Sequence, residues 1–228
     1  MPRPSRNLDR ALLAAGRELF ARRGCSGLAV REVAEAAGVN LGMFHYHFKS
    51  REAFLRALLQ SVYDEMYAQL SVVATEHPRD ATPLGQLRAA LRFMGRFARA
   101  NRPILARVLA DALCGDAIAI EFVRDNFPRH IGVIRGLVGA AQEAREVRAL
   151  PTVQVMAFCA GSVAAPILLG GAVAESGELP RRAARSLEEA LLSDEAIDQR
   201  IELALATIAA SARPAGAPRT RSRRKELP

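Results

Sequence analysis

The chain has 228 residues, half of them apolar, with 5% aromatics, no Trp and a net charge of +8. That apolar share is enough for a buried core, and the absence of β-branched period-two runs excludes a sheet protein in favour of an all-α one, while the charge suits a polyanionic partner, either nucleic acid or an anionic membrane surface. Three widely spaced cysteines (Cys25, Cys114, Cys159) form no CxxC, which argues against a disulfide framework or a zinc site and fits a reducing, cytoplasmic setting.

The opening MPRPSRNLDR is polar, unlike the apolar core of a secretory signal. Leu8, Leu12, Ala15 and Leu19 then recur at helical spacing with Arg10, Arg17 and Arg22 opposite. This predicts a first helix over 7–23, stopped by Gly24. A second helix is expected over 30–37, with Val33, Ala34 and Ala37 inward. Gly38 stands where the chain must turn sharply, since glycine tolerates positive φ, and Val39 can plug the gap between the flanking helices. Asn40 is placed either to cap a third helix or to reach a phosphate. Phe44 and Phe48, four apart, read as core. Together, 29–48 have the layout of a helix-turn-helix, whose second helix enters the major groove. His45 and His47 are two apart and do not share a helical face, which argues against a metal pair.

Ser50 can cap a fourth helix, with Glu52 at the positive end of its dipole. Phe54, Leu55, Leu58, Leu59, Val62 and Met66 give that helix a continuous apolar stripe. Residues 77–83 (HPRDATP) read as a loop. Leu84, Leu87, Leu91, Met94 and Ala98 form the next stripe; Asn101-Arg102-Pro103 breaks it, and 104–113 resume it. Residues 117–149 hold one or two helices, with Pro128 as a start or kink. Pro151 opens a run in which 155–174 carry no charge. Twenty such residues could span a bilayer by length. Their Ala, Gly and Pro166 content instead favours a helix buried in a core or subunit interface, and no membrane partner is expected. Cys114 and Cys159 read as buried small hydrophobes. Ile197, Ile201, Leu205 and Ile208 mark a last helix. From Arg213 onward six basic residues face one acid, Glu226, without apolar period, which predicts a disordered basic tail. The chain contains no GxSxG, phosphate loop or HExxH; the expectation is no enzyme, no cofactor and no metal.

Residues 8–62 resemble the DNA-binding domain of TetR/AcrR-type transcriptional regulators. The likeness rests on LFARRG, VREVAEAAGV and YHFKSREAFL, in the family's order and spacing. It covers about a quarter of the chain. Three positions depart from the pattern: Ala29 stands where a capping threonine is common, His45 where a Tyr is usual, and Met43 where Thr is frequent. The resemblance implies an all-α chain with an N-terminal three-helix DNA-binding domain (1–52), a larger helical ligand-binding and dimerisation domain (53–212) and the tail (213–228). It implies phosphate contacts by Arg31, His47, Lys49 and Arg51. Leu41, Gly42, Met43, His45 and Tyr46 then face the bases, with Met43 suited to a thymine methyl and His45 able to accept or donate. It further implies a homodimer on a palindromic double-stranded operator, acting as a repressor released by an unknown small effector. The helix from Pro151 and the last helix around 197–208 are the expected dimer seam. Phe93, Met94, Phe97, Phe122, Phe127, Met156 and Phe158 are either pocket walls or core. Two other readings stand beside it: a sequence-neutral nucleic-acid binder driven by the tail, and an all-α enzyme with a small-molecule pocket.

Overall fold

A computed structural model describes residues 6–75 and 82–210. Within them the chain is all-α, as the apolar spacing requires: α1 (Arg6–Gly27), α2 (Val30–Ala36), α3 (Leu41–Phe48), α4 (Arg51–Thr75), α5 (Pro83–Ala100), α6 (Arg102–Leu113), α7 (Ala117–Glu143), α8 (Thr152–Glu175), α9 (Arg181–Leu192) and α10 (Asp194–Ile208). Among these residues the sole β pairing is an isolated antiparallel bridge between Val147 and Ala209. The basic tail and most of the expected loop at 77–83 lie outside the described residues.

Short polar side chains set the helix starts by satisfying amides that lack an intrahelical acceptor. The Asp116 carboxylate accepts from the N–H groups of Ile118 and Ala119, each at 3.0 Å. Thr82 and Ser193 do the same for Gly85 and Ala196, each at 3.1 Å. Helix α9 escaped the sequence reading because its apolar stripe is narrow. Ala184, Leu187, Leu191 and the buried Leu192 are its inward positions, and the remainder is charged or small. Pro128, expected to start or kink a helix, lies inside one continuous α7. The Tyr63 hydroxyl of α4 braces that stretch. It donates to the Asn126 carbonyl at 2.7 Å and accepts from the His130 amide at 3.2 Å.

Two apolar clusters fill the interior. One gathers Leu12, Phe20, Leu28, Val33, Phe44, Phe54, Leu58 and Val62, and draws in Ile104 and Val108 from α6. The other gathers Met66, Leu70, Leu87, Leu91, Val138, Val163, Ile167, Ile197 and Ile201. Helix α4 belongs to both, since its first half buries Phe54 to Val62 in one cluster and its second half buries Tyr63 to Leu70 in the other. Packing is therefore continuous across residue 52.

One expectation needs correction: Cys114 is exposed at the end of α6, whereas Cys25 and Cys159 are buried. On α10, Ile197, Ile201, Leu205 and Ile208 are buried in the chain's own core, and the outward side carries Leu203. Within the chain the apolar helix α8 is buried along one row, Val155, Cys159, Val163 and Ile167. Val153, Phe158, Leu169 and Val173 lie outward, with Leu169 66% exposed. By length and composition α8 could cross a membrane; here its buried row packs against α5, α7 and α10.

Candidate nucleic-acid interface

The reading head begins with how α1 ends. Gly24 adopts φ +70° and breaks the helix, and the guanidinium of Arg107 lies across it where any Cβ would sit. The turn after it is held from two sides. Asp111 of α6, itself buried, accepts the Cys25 amide at 2.7 Å and the Arg107 guanidinium at 2.9 Å. From the other side, Arg51 donates to the carbonyls of Leu28 at 3.0 Å, Ser26 at 3.1 Å and Cys25. Burial pushes the Cys25 thiol far up, reinforced by the charges of Asp116 and Asp111. It is a packed thiol, not a reactive one.

The turn between α2 and α3 follows from Gly38 at φ +65°. Helix α2 starts at Ala29 without a side-chain cap. Helix α3 is capped by Asn40, whose Oδ1 accepts the Met43 amide at 2.8 Å, so Asn40 takes the first of its two expected roles. Phe44 is fully buried and packs on Phe54, ring centroids 5.1 Å apart. Burying Phe44 dictates what faces out. Leu41, Gly42, His45, Tyr46 and Lys49 are all exposed, Tyr46 by 64%. Leu41, Gly42, His45 and Tyr46 stand at i, i+1, i+4 and i+5, one side of the helix, and Lys49 follows at its C-cap. Met43 is half-buried at its flank, and Arg31 of α2 is exposed.

Two expected phosphate ligands are engaged elsewhere. Arg51 brackets the end of α1 and also pairs with Glu52 at 3.2 Å. The His47 side chain is nearly buried, with Nδ1 against the Asp9 carboxylate of α1. Both therefore assemble the head. Nothing in the residue types alone reveals such a bracket; the carbonyls and Asp9 that partner these side chains are distant in sequence.

Of the seven apolar residues expected as pocket walls or core, Phe93, Met94, Phe97, Phe122 and Met156 all pack against the second core cluster. Phe93 and Phe97 also line an open groove of about 630 Å³ between α4 and α5, with Glu65, Gln69, Arg88 and Arg92. Phe127 and Phe158 are exposed, 50% and 42%, because they fall on the outward faces of α7 and α8. Among the described residues no group of three or more His, Cys, Asp or Glu is arranged to hold a metal.

Comparison with known proteins converges on the same region. Residues 12–58 match the model of the bacterial regulatory proteins, tetR family. The HTH-type transcriptional repressor DhaR of Mycobacterium sp. (strain GP1) is 38% identical over 60 residues, which are 26% of this chain and 30% of that protein. The chain thus matches about 30% of the length of such curated relatives. Over the whole fold, the ketosteroid transcriptional regulator KstR2 of Mycobacterium tuberculosis superposes with a TM-score of 0.61 at 19% identity, covering 91% of this chain and 97% of its own. The transcriptional regulator FadR from Bacillus subtilis, solved with stearoyl-CoA, superposes at 0.59 and 17% identity, covering 81% and 98%.

Proposed function

We propose that this chain, whose residues 12–58 match the model of the bacterial regulatory proteins, tetR family, is a DNA-binding transcriptional repressor and not an enzyme. The observation that carries the reading is the exposed stripe Leu41, Gly42, His45, Tyr46 and Lys49 on a capped helix whose opposite side is anchored by Phe44. In this reading Arg31 and Lys49 contact phosphates, while Leu41, Gly42, Met43, His45 and Tyr46 meet base edges. Arg51 and His47 act indirectly, by holding the head together.

The protein works in the cytoplasm as a homodimer, with residues 1–52 as head, 53–212 as body and 213–228 as a basic tail. Two heads related by a two-fold axis read half-sites about 34–36 Å apart, so the operator is palindromic. A small effector bound in the body releases it; the neighbour solved with stearoyl-CoA supports a small-molecule effector as a class. Helix α4, shared by both core clusters, carries the coupling, for which ~1–3 kcal/mol would change operator affinity ~5–150-fold.

The test is selection of bound sequences from random duplex DNA, followed by Tyr46→Ala with Lys49→Ala. The expected result is a palindromic site and an affinity loss of roughly tenfold or more in the folded double variant. Undiminished affinity would overturn the reading.

A further inference from the structure

The exposed stripe leaves open which base edges it accepts, and His45 narrows the choice. Its Nδ1 lies 3.3 Å from the backbone carbonyl oxygen of Lys49. A carbonyl only accepts, so the ring nitrogen facing it must carry the proton. In a neutral imidazole the other nitrogen, Nε2, is then a bare acceptor. The Lys49 carbonyl is presented by an uncommon backbone. Lys49 has φ +59°, a left-handed conformation few non-glycine residues adopt. Its amide donates to the His45 carbonyl at 3.0 Å. The two residues clasp each other, amide to carbonyl in one direction and ring to carbonyl in the other. His45 itself is exposed, between Leu41 and Lys49 on the stripe and beside Tyr46.

In the major groove adenine N6 and cytosine N4 donate, whereas guanine O6 and N7 and thymine O4 accept. An acceptor held outward is attracted to the first pair and repelled by the second. Resting on the DNA-binding reading above, we infer that His45 selects an amino-bearing base, adenine or cytosine, over guanine or thymine at one position of each half-site, because the Lys49 carbonyl fixes its ring with Nε2 as the acceptor.

Two measurements on the full chain test this. Nitrogen-resolved NMR of the imidazoles without DNA, at pH 8 where an ordinary imidazole is neutral, should show His45 protonated on Nδ1; His45→Gln assigns the signal. A proton on Nε2 would overturn the inference. Sequence selection is then compared for the wild type, His45→Ala and Lys49→Gly. Ala neither accepts nor donates, so the adenine-or-cytosine preference of roughly 5- to 10-fold should vanish at one symmetric position. Lys49→Gly keeps the carbonyl and suits the left-handed backbone, so that preference should survive while affinity falls and its salt dependence becomes shallower. Identical preferences in wild type and His45→Ala, or enrichment of guanine or thymine at the His45-dependent position, would overturn the inference and leave the regulator reading intact. Failure of the wild type to select any sequence would overturn both.

Discussion

At the residue scale, the head depends on a few positions whose roles come from backbone geometry. Gly24 combines φ +70° with a guanidinium lying over its Cα. An alanine there meets the left-handed penalty, about 1–2 kcal/mol, and in addition displaces Arg107. Gly24→Ala is therefore expected to lower stability by at least that amount, read as a lower midpoint in chemical denaturation with an unchanged slope. Gly38, with open space around it, involves only the backbone term, so Gly38→Ala should be the milder of the two. A ranking of Gly38→Ala as the more damaging would contradict this account. Arg51 and His47 show the same lesson from the opposite side: one just after the reading helix and one in its last turn, they are held by carbonyls and by Asp9.

At the element scale, the important contact is between the end of α1 and α6. Asp111 is one of two buried polar or charged residues among those described, the other being Asn126. It ties the first turn after Gly24 to the body through the Cys25 amide and Arg107. Truncation to alanine strands a buried amide, which costs about 1–3 kcal/mol. Asp111→Ala should therefore unfold at lower denaturant, and amide exchange at residues 23–28 should rise more than in the rest of α1. Asp111→Asn retains an acceptor and should recover part of the loss; equal destabilisation by both variants would argue that packing alone matters. Elsewhere, α5 and α10 are registered by a ladder of ion pairs, Arg88 with Glu202 at 2.8 Å, Arg96 with Asp198 at 3.1 Å and Arg99 with Asp194 at 2.9 Å. Partly exposed pairs of this kind add little stability each; their spacing along both helices sets the register.

At the scale of the whole molecule, the outward face of α8 is the feature that a lone chain does not explain. Val153, Phe158, Leu169 and Val173 are exposed on a helix without a charge between Thr152 and Ala174, and Leu203 of α10 is 69% exposed. Large apolar patches on soluble chains mark association surfaces, and a two-fold contact through such a face fits the proposed homodimer. Light scattering should give twice the 24.7 kDa chain mass. Leu169→Glu with Val173→Glu should shift that mass to a single chain and weaken operator binding, while helical content persists. A dimer that survives both substitutions would place the seam elsewhere.

Much of this was legible in the amino-acid order because its causes are local. The 3.6-residue spacing of Leu8, Leu12, Ala15 and Leu19, the glycines at 24 and 38, and the capping side chains of Asn40 and Ser50 act within a few residues of themselves. They determine the helices, the turn between α2 and α3, and the stripe that remains exposed once Phe44 is buried. The partners of Arg51 and His47, the inward facing of Ile197 to Ile208, the exposure of Cys114, Phe127 and Phe158 and the tautomer-setting contact of His45 were decided by tertiary structure. Each depends on which surface meets which across long sequence separations or on a backbone angle such as that of Lys49. A helix pattern names the apolar side of an element but not the neighbour that covers it.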